Sequence, residues 1–400
     1  DICVPLDKPT GYGLSYRVAE KYVNETNRNS QQTLNLIKSN NNRNSVWVGP
    51  VQGAEHLDLV KRSAESLDAM GYEMLALGSP VQLLESYEFA VLADMIATLK
   101  STVMSKPIHL FGAGHPLTIP LAVALGCDTF DSASYMLYAR DYRYMHPNGT
   151  SRLDKLAYLA CQCPICVNIK AKEFVSLEHD EKVDKLAKHN LYVLRSEVLS
   201  VKQAILEGRL WEYVAQKARA HPKLMDAFKL FMNYKHLEDG TPFFKKKAIF
   251  FAESIDQYRP EATRIRKIFS SFKSNKKKVV LFPDTQISPF YCSQEYFRLS
   301  KKFSDYQICA YNPFIGIIPT ELSDIYPAAH NLIPKKEFNY NSSKDYPTFV
   351  SSLEKFLSSN FSNEVIIVAD DFMQGIVDRM QIISKKLKII KYSDEVQEVH

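Results

Sequence analysis

The sequence of 400 residues predicts an α/β fold of the (β/α)8-barrel (TIM-barrel) type, and three features support this. Through residue 135, short apolar runs end in a Gly, Pro or polar cluster, and an amphipathic helical stretch usually follows. Strands and helices that alternate with short connections between them are typical of a parallel sheet. Polar residues gather where the runs end, which is where barrels carry functional groups. An open, doubly wound sheet is the alternative.

Five apolar runs are the candidate strands, and helical patterns such as 57–70 and 86–98 lie between them. The runs are Asp1–Asp7, Val46–Gln52, Tyr72–Gly78, Pro107–Gly112 and Cys127–Asp131. Because five strands do not close an eight-stranded barrel, we expect this chain to supply the last five strand–helix units. Three further strands would then precede Asp1.

The pattern of the sequence changes near residue 240. A turn signal, Asp239-Gly240-Thr241-Pro242, is followed by basic residues and by new apolar runs at 279–282 and 365–368. We therefore expect a partial barrel at 1–235 and small α+β accessory domains after it. An accessory α/β domain would occupy 236–337, and the C-terminal part of the accessory region 338–400. The Asn/Ser-rich stretch 338–344 marks the linker between these two.

Composition indicates a cytoplasmic protein with no membrane segment. Hydrophobic residues make up 46% of the chain and charged residues 24%. No apolar run approaches the roughly 20 residues that span a bilayer, and no secretory leader is recognisable. The net charge of +5 permits a nucleic-acid partner without requiring one.

A cluster of cysteines is the strongest chemical signal. The spacing Cys161-x-Cys163-x2-Cys166 can deliver three thiolates to one point, and His189 on a following helix supplies a fourth ligand. The sequence therefore predicts one structural Zn²⁺ in a subdomain at 155–192, with no open coordination position. His179 is a rival fourth ligand, but it lies in a charged segment.

Asp131 ends the last of the five runs. A carboxylate there can act as a nucleophile toward an anomeric carbon, as in retaining glycosidases. The alternative is a helix N-cap, which is a common place for Asp. Asp128, three residues earlier, is a second candidate for the carboxylate.

The ends of the earlier runs could bind a planar heterocycle. The carboxylate of Asp7 and the amide of Gln52 can both form paired hydrogen bonds to its edge. Gly78 would let a flat ring approach the backbone, and Ser79 and Pro80 extend the same strand end. His115, after a Gly-Ala-Gly turn, is interpreted as structural.

These motifs together resemble the archaeal tRNA-guanine transglycosylases, closely over residues 1 to about 235 and more loosely through 314–327. The matching runs are Val48-Gly-Pro-Val-Gln-Gly53, Leu75-Ala-Leu-Gly78, Leu84-Glu-Ser-Tyr87, Phe111-Gly-Ala-Gly-His-Pro116, Asp128-Thr-Phe-Asp-Ser-Ala-Ser-Tyr135, Asp141-Tyr-Arg-Tyr-Met145, the cysteine cluster with His189, and the Trp211 to Lys223 helical stretch.

The resemblance implies a pentosyltransferase that exchanges the guanine at position 15, in the tRNA D-loop, for preQ0 in archaeosine biosynthesis. It implies that Asp131 forms a covalent aspartyl-ribose intermediate and that Asp7, Gln52 and Gly78 line the base pocket. The cysteine cluster and His189 match the family's zinc ligands. The implied partners are tRNA and preQ0 or guanine.

Two departures from the family pattern qualify the resemblance. The Asp-Ser-Gly motif that carries the family's general base is not found in this sequence, and no PUA domain is recognisable after residue 370. A separate PUA-domain subunit therefore stays open as a partner, and so does a homodimer. An archaeosine synthase-like paralogue acting on preQ0-tRNA is an alternative, although its Pro-Cys and Lys-Pro-Tyr motifs are absent from 282–292. A non-catalytic tRNA-binding subunit is another.

Overall fold

The computed structural model describes residues 2–39, 45–285, 287–334, 345–361, 364–377 and 387–392. The chain forms two compact units, which divide after Gly240. The predicted linker at 338–344 lies outside the described residues, and the separation of 236–337 from 338–400 stays a prediction.

The first unit is built on a parallel sheet of five strands in sequential order, β1-β2-β3-β4-β5. The strands are β1 (Ile2–Cys3), β2 (Val46–Val51), β3 (Met74–Leu77), β4 (Ile108–Leu110) and β5 (Thr129–Phe130). Each predicted apolar run contains one of them. Sequential parallel order with intervening helices curls the sheet into a half-barrel, as the α/β prediction required. The closed eight-stranded barrel stays a prediction.

Helices alternate with these strands. They are α1 (Tyr16–Ser39), α2 (Leu57–Met70), α3 (Val81–Glu85), α4 (Phe89–Thr102), α5 (Thr118–Leu125) and α6 (Ser134–Arg140). In α2 the buried residues Leu59, Ser63 and Leu67 repeat every fourth position, so one face of the helix packs inward. Gly71 ends this helix with a φ of +94°, a left-handed conformation that favours glycine.

The rest of the first unit carries the cysteine segment and a helical layer. An antiparallel hairpin of β6 (Arg143–His146) and β7 (Gly149–Arg152) precedes the cysteines. The helices after it are α7 (Ala171–Ser176), α8 (His179–Leu206), α9 (Leu210–Ala218), α10 (Pro222–Lys229) and α11 (His236–Gly240). Helix α8, with 28 residues, contacts both α6 and β6. It therefore joins the end of the sheet to the cysteine segment.

The second unit contains a different sheet. Its strands are β8 (Ile249–Phe250), β9 (Lys278–Pro283), β10 (Gln307–Asn312), β11 (Gly316–Pro319), β12 (Asn331–Leu332), β13 (Glu364–Ala369) and β14 (Leu387–Lys391). The main sheet has the order β11-β10-β9-β13-β14 and is parallel except for β11. The strands predicted at 279–282 and 365–368 are confirmed as β9 and β13. This order runs both ways from β9, as in doubly wound open sheets.

Among the described residues, four helices pack with the second sheet. They are α12 (Pro260–Ser271), α13 (Gln294–Lys302), α14 (Pro347–Asn360) and α15 (Asp371–Val377).

The second unit also contains a buried ion network. Glu261 pairs with Arg259 and Lys245, and the Arg259 and Glu261 side chains are fully buried. Burial alone would raise the pKa of Glu261, but its two cationic partners outweigh that and lower it to about 2.

Across the described part of the chain, no helix combines the length and apolar character needed to cross a membrane.

Candidate active site and metal centre

Asp131 lies at the carboxyl end of β5 with its side chain 61% exposed. Its Oδ1 accepts two hydrogen bonds, from the backbone N–H of Gly112 and from Nε2 of His109, both at 3.0 Å. Among the described residues, nothing donates to the second oxygen, Oδ2. The carboxylate is therefore fixed on one side and open on the other.

The helix-cap interpretation of Asp131 does not agree with these contacts. Helix α6 begins at Ser134, and it is the Ser132 hydroxyl that accepts from the Ser134 N–H. The other candidate, Asp128, accepts a hydrogen bond from the backbone N–H of Ile108, at the start of the neighbouring strand. Of these two carboxylates, only Asp131 lies at the carboxyl end of the sheet.

Gly112 can present its N–H to Asp131 because it has no side chain. Its φ is +65°, which is the left-handed region, and an added Cβ would lie 2.5 Å from Cγ2 of Val81. A larger residue would have to move either Val81 or the loop itself. The Gly-Ala-Gly turn after β4 thus provides a backbone donor to the carboxylate.

A hydrogen-bond network joins the ends of β1 and β2. Nε2 of Gln52 donates to Oδ2 of Asp7 at 2.7 Å, and Oε1 of Gln52 accepts from both the backbone N–H and the hydroxyl of Thr10. Gln52 is 1% exposed, whereas Asp7 is half-buried. The structure thus brings the predicted pair together, and Gln52 orients Asp7.

The end of β3 lies against this network. An added Cβ on Gly78 would be 2.3 Å from Nε2 of Gln52, so the amide occupies the space that a side chain would need. The Ser79 hydroxyl donates to Oε1 of Gln52 at 3.4 Å, and Ser79 has a φ of +60°. Pro80 is buried and precedes α3. Of the predicted pocket residues, Asp7 and Ser79 are the partly exposed ones.

The four predicted metal ligands lie together. One ligand atom from each of Cys161, Cys163, Cys166 and His189 falls within 4.8 Å of the other three. Ligand atoms around a tetrahedral zinc ion with Zn–S of about 2.3 Å stand about 3.8 Å apart, so the cluster fits such an ion after a small contraction. This group could hold a metal ion.

His189 is oriented for coordination through Nδ1. Its Nε2 donates to the carbonyl oxygen of Met145 at 2.8 Å, which leaves Nδ1 facing the sulfurs of Cys163 and Cys166 at 3.5 and 3.3 Å. The ring of Tyr144 stacks on the imidazole at 3.7 Å. Burial lowers the pKa of His189 to about 4, so the ring is neutral at physiological pH and its Nδ1 lone pair is available to a metal ion.

Burial disfavours the ionised form of two thiols in the cluster. Burial raises the pKa of Cys161, and it raises that of Cys166 to about 12. A bound metal ion reverses this preference because it binds the thiolate. The rival ligand His179 lies apart from the cluster, where its Nδ1 is 2.6 Å from the Tyr142 hydroxyl.

We call Asp7, Gln52, Gly78, Ser79 and Asp131, with their hydrogen-bond partners, the strand-end site. Two of its polar residues were not anticipated from the sequence. His109 is a single polar residue within the apolar run of β4, and Thr10 lies in a connection after β1. The period-two alternation of β4 could have singled out His109 as facing away from the buried Ile108 and Leu110. His115 is half-buried, and its Nδ1 accepts a hydrogen bond from the Leu117 N–H; its structural interpretation stays a prediction.

Comparison with known proteins places this chain in a family. The profile of the family described as queuine tRNA-ribosyltransferase matches residues 1–223. The chain is 39% identical over 377 residues to a tRNA-guanine(15) transglycosylase of Sulfolobus acidocaldarius, covering 92% of this chain and 73% of that protein. The chain belongs to the tRNA-guanine transglycosylase family.

Other transglycosylases show the same relation. The protein of that description from Saccharolobus solfataricus is 42% identical over 347 residues, which are 84% of this chain and 69% of the relative. One from Methanocaldococcus jannaschii is 35% identical over 84% of this chain and 51% of its own length. The resemblance to the archaeal transglycosylases is thereby confirmed, and with it an enzyme of the transferase class.

Proposed function

We propose that this protein exchanges the guanine at position 15 of tRNA for preQ0, as a step toward archaeosine, with Asp131 as the nucleophile. The observation that carries the proposal is the Asp131 carboxylate itself. It is exposed at the carboxyl end of β5, caps no helix, and has one oxygen free of hydrogen bonds from the described residues.

In the proposed first step the target nucleotide is flipped out of the tRNA. Oδ2 of Asp131 forms a bond to C1′ of the ribose while the C1′–N9 bond breaks, and the electron pair leaves with guanine. In the second step N9 of the incoming base forms the bond to C1′ and displaces the carboxylate. The proton that the incoming base loses replaces the one that the outgoing guanine takes up, through a general acid–base group. Two inversions give net retention.

The incoming base would be read by Asp7, which lies at the same edge of the sheet. A carboxylate accepts two N–H groups from the pyrimidine edge of a deazaguanine. Gln52 supports this role, since its bond from Nε2 fixes the position of the Asp7 carboxylate. Ser79 borders the same network through its hydroxyl.

We further propose that one zinc ion is held by Cys161, Cys163, Cys166 and His189. Four protein ligands would leave no open position, so the ion would stabilise the segment and not take part in the reaction. The hydrogen bond from His189 to the Met145 carbonyl supports this, because ligating histidines commonly donate their second N–H to such a group.

The proposal is tested by Asp131→Asn, since Asn is nearly isosteric with Asp but is not an anionic nucleophile. Incorporation of labelled guanine into tRNA should fall by at least about 10³-fold, with tRNA affinity retained. Asp128→Asn is the matched control and should keep exchange, because its carboxylate lies at the opposite end of the strand.

Near-normal exchange by Asp131→Asn would contradict the nucleophile assignment. If the protein as the organism makes it binds tRNA but exchanges no base, it is a non-catalytic tRNA-binding subunit. Turnover of preQ0-tRNA without base exchange would instead identify an archaeosine synthase-like paralogue.

A further inference from the structure

A side chain of β4, His109, forms a hydrogen bond with the Asp131 carboxylate. Register pairs His109 of β4 with Thr129 of β5, so the two side chains leave the sheet on the same face. Asp131, two residues after Thr129, lies on that face one layer nearer to the carboxyl end. The neighbouring residues Ile108, Leu110 and Phe130 occupy the opposite face.

The imidazole of His109 is held from three sides. Its Nδ1 is 2.8 Å from the Thr129 hydroxyl, its Nε2 is 3.0 Å from Oδ1 of Asp131, and its ring meets that of Phe111 edge-on at 4.9 Å. Because a carboxylate only accepts, Nε2 must carry a proton. In the neutral ring, Nδ1 then accepts the hydrogen of the Thr129 hydroxyl. The Asp131 carboxylate thus fixes the tautomer, and the Thr129 hydroxyl satisfies Nδ1 in that tautomer and holds the ring in place.

We propose that His109, with Thr129 behind it, is the positioning residue that holds the Asp131 carboxylate for attack, and this rests on the function proposed above. His109 and Gly112 both donate to Oδ1, which directs Oδ2 to the ribose. When Oδ2 forms the bond to C1′, Oδ1 becomes the carbonyl oxygen of the ester. When the incoming base displaces the carboxylate, charge returns to Oδ1, where the two donors stabilise it.

The alternative is that His109 only fills space on this face of the sheet. A purely structural histidine would tolerate phenylalanine, which keeps the ring against Phe111. It would also give Thr129 no influence on the reaction. The two interpretations therefore differ in what the hydrogen bonds contribute, and variants that keep the shape can separate them.

The test compares His109→Phe, Thr129→Val and the double variant in the protein as the organism makes it. For His109→Phe we expect kcat of guanine exchange to fall on the order of 10²-fold, the effect of a slightly misplaced reacting group, with an unchanged KM for tRNA. Thr129→Val should lower kcat by a smaller factor. When it is added to His109→Phe, it should lower kcat no further, because Thr129 acts through His109. His109→Gln, which restores an N–H donor, should recover part of the rate.

Full activity of His109→Phe, or independent effects of the two substitutions, would overturn the inference. Melting temperature and tRNA affinity are measured for each variant. If His109→Phe does not fold, Thr129→Val alone decides, since valine has the shape of threonine. An unchanged kcat in Thr129→Val would then refute the positioning role. The proposed function fails separately, if the protein as the organism makes it shows no exchange or if its Asp131→Asn variant keeps it.

Discussion

The strand-end site and the metal-ligand cluster are built in opposite ways within the same unit. The strand-end site takes single residues from the ends of successive strands, and its Asp131 side chain is 61% exposed. The cluster takes three ligands from one short segment and a fourth, His189, that is fully buried. Exposed groups held by a few hydrogen bonds can be replaced with little effect on folding, whereas buried ligands cannot. The first region should therefore govern chemistry and the second stability.

The largest effect is expected at the cluster. His189→Ala should abolish metal binding and lower the free energy of unfolding by several kcal/mol, because structural zinc contributes directly to folding. A chelator should lower the melting temperature of the unaltered protein but not of this variant. The matched control is His179→Ala, on the same helix but outside the cluster. A full equivalent of zinc in His189→Ala would refute the ligand assignment.

The next effect is expected at Asp7, and it should be confined to the incoming base. Asp7→Asn replaces one acceptor oxygen by a donor, which should weaken base binding by about 1.5–3 kcal/mol, or about 10- to 100-fold in KM for the base. The KM for tRNA and the melting temperature should not change. If KM for tRNA rose instead, Asp7 would contact the nucleic acid and not the base.

A smaller effect of the same kind should follow from Gly78→Ala. The new methyl group would lie 2.3 Å from Nε2 of Gln52 and would push the amide off Asp7. We expect KM for the base to rise less than in Asp7→Asn, because the Asp7 carboxylate itself remains. Gly240→Ala is the control, since an added Cβ there meets no atom within 4 Å. An unchanged KM would mean that Gln52 does not orient Asp7.

The smallest effect, on the free energy of unfolding, is expected at Tyr144, which packs against the cluster. Tyr144→Phe keeps the stacking on His189 but removes the hydroxyl, which lies 3.4 Å from Sγ of Cys166. Loss of one such hydrogen bond should lower the free energy of unfolding by about 1 kcal/mol, with zinc still bound. A denaturation curve measures this. A loss as large as that of His189→Ala would mean that the hydroxyl is essential to the cluster.

The metal cluster could be predicted from the sequence because its information is local. Cys161, Cys163 and Cys166 are close enough in the chain that a tight turn brings their sulfurs together whatever surrounds them. His189 needed only one long helix packed against that turn. The five strands were predictable for the same reason, since each apolar run and its polar end are contiguous.

The supporting contacts of the strand-end site could not be predicted in the same way. His109 and Thr129 meet because β4 and β5 pair in one register, and a shift of one residue would turn one of them to the other face. Thr10 reaches Gln52 from a segment without regular structure. Such contacts depend on the packed sheet, and neither the spacing nor the type of these residues reveals them.

The most direct test of the central claim is to identify the residue that becomes attached to tRNA. Protein mixed with substrate tRNA in the absence of an incoming base is denatured rapidly, digested and analysed by mass spectrometry. We predict a ribose-linked peptide in which the modified residue is Asp131, and no such peptide from Asp131→Asn. Attachment at Asp128, at Asp7 or at any other residue would contradict the account.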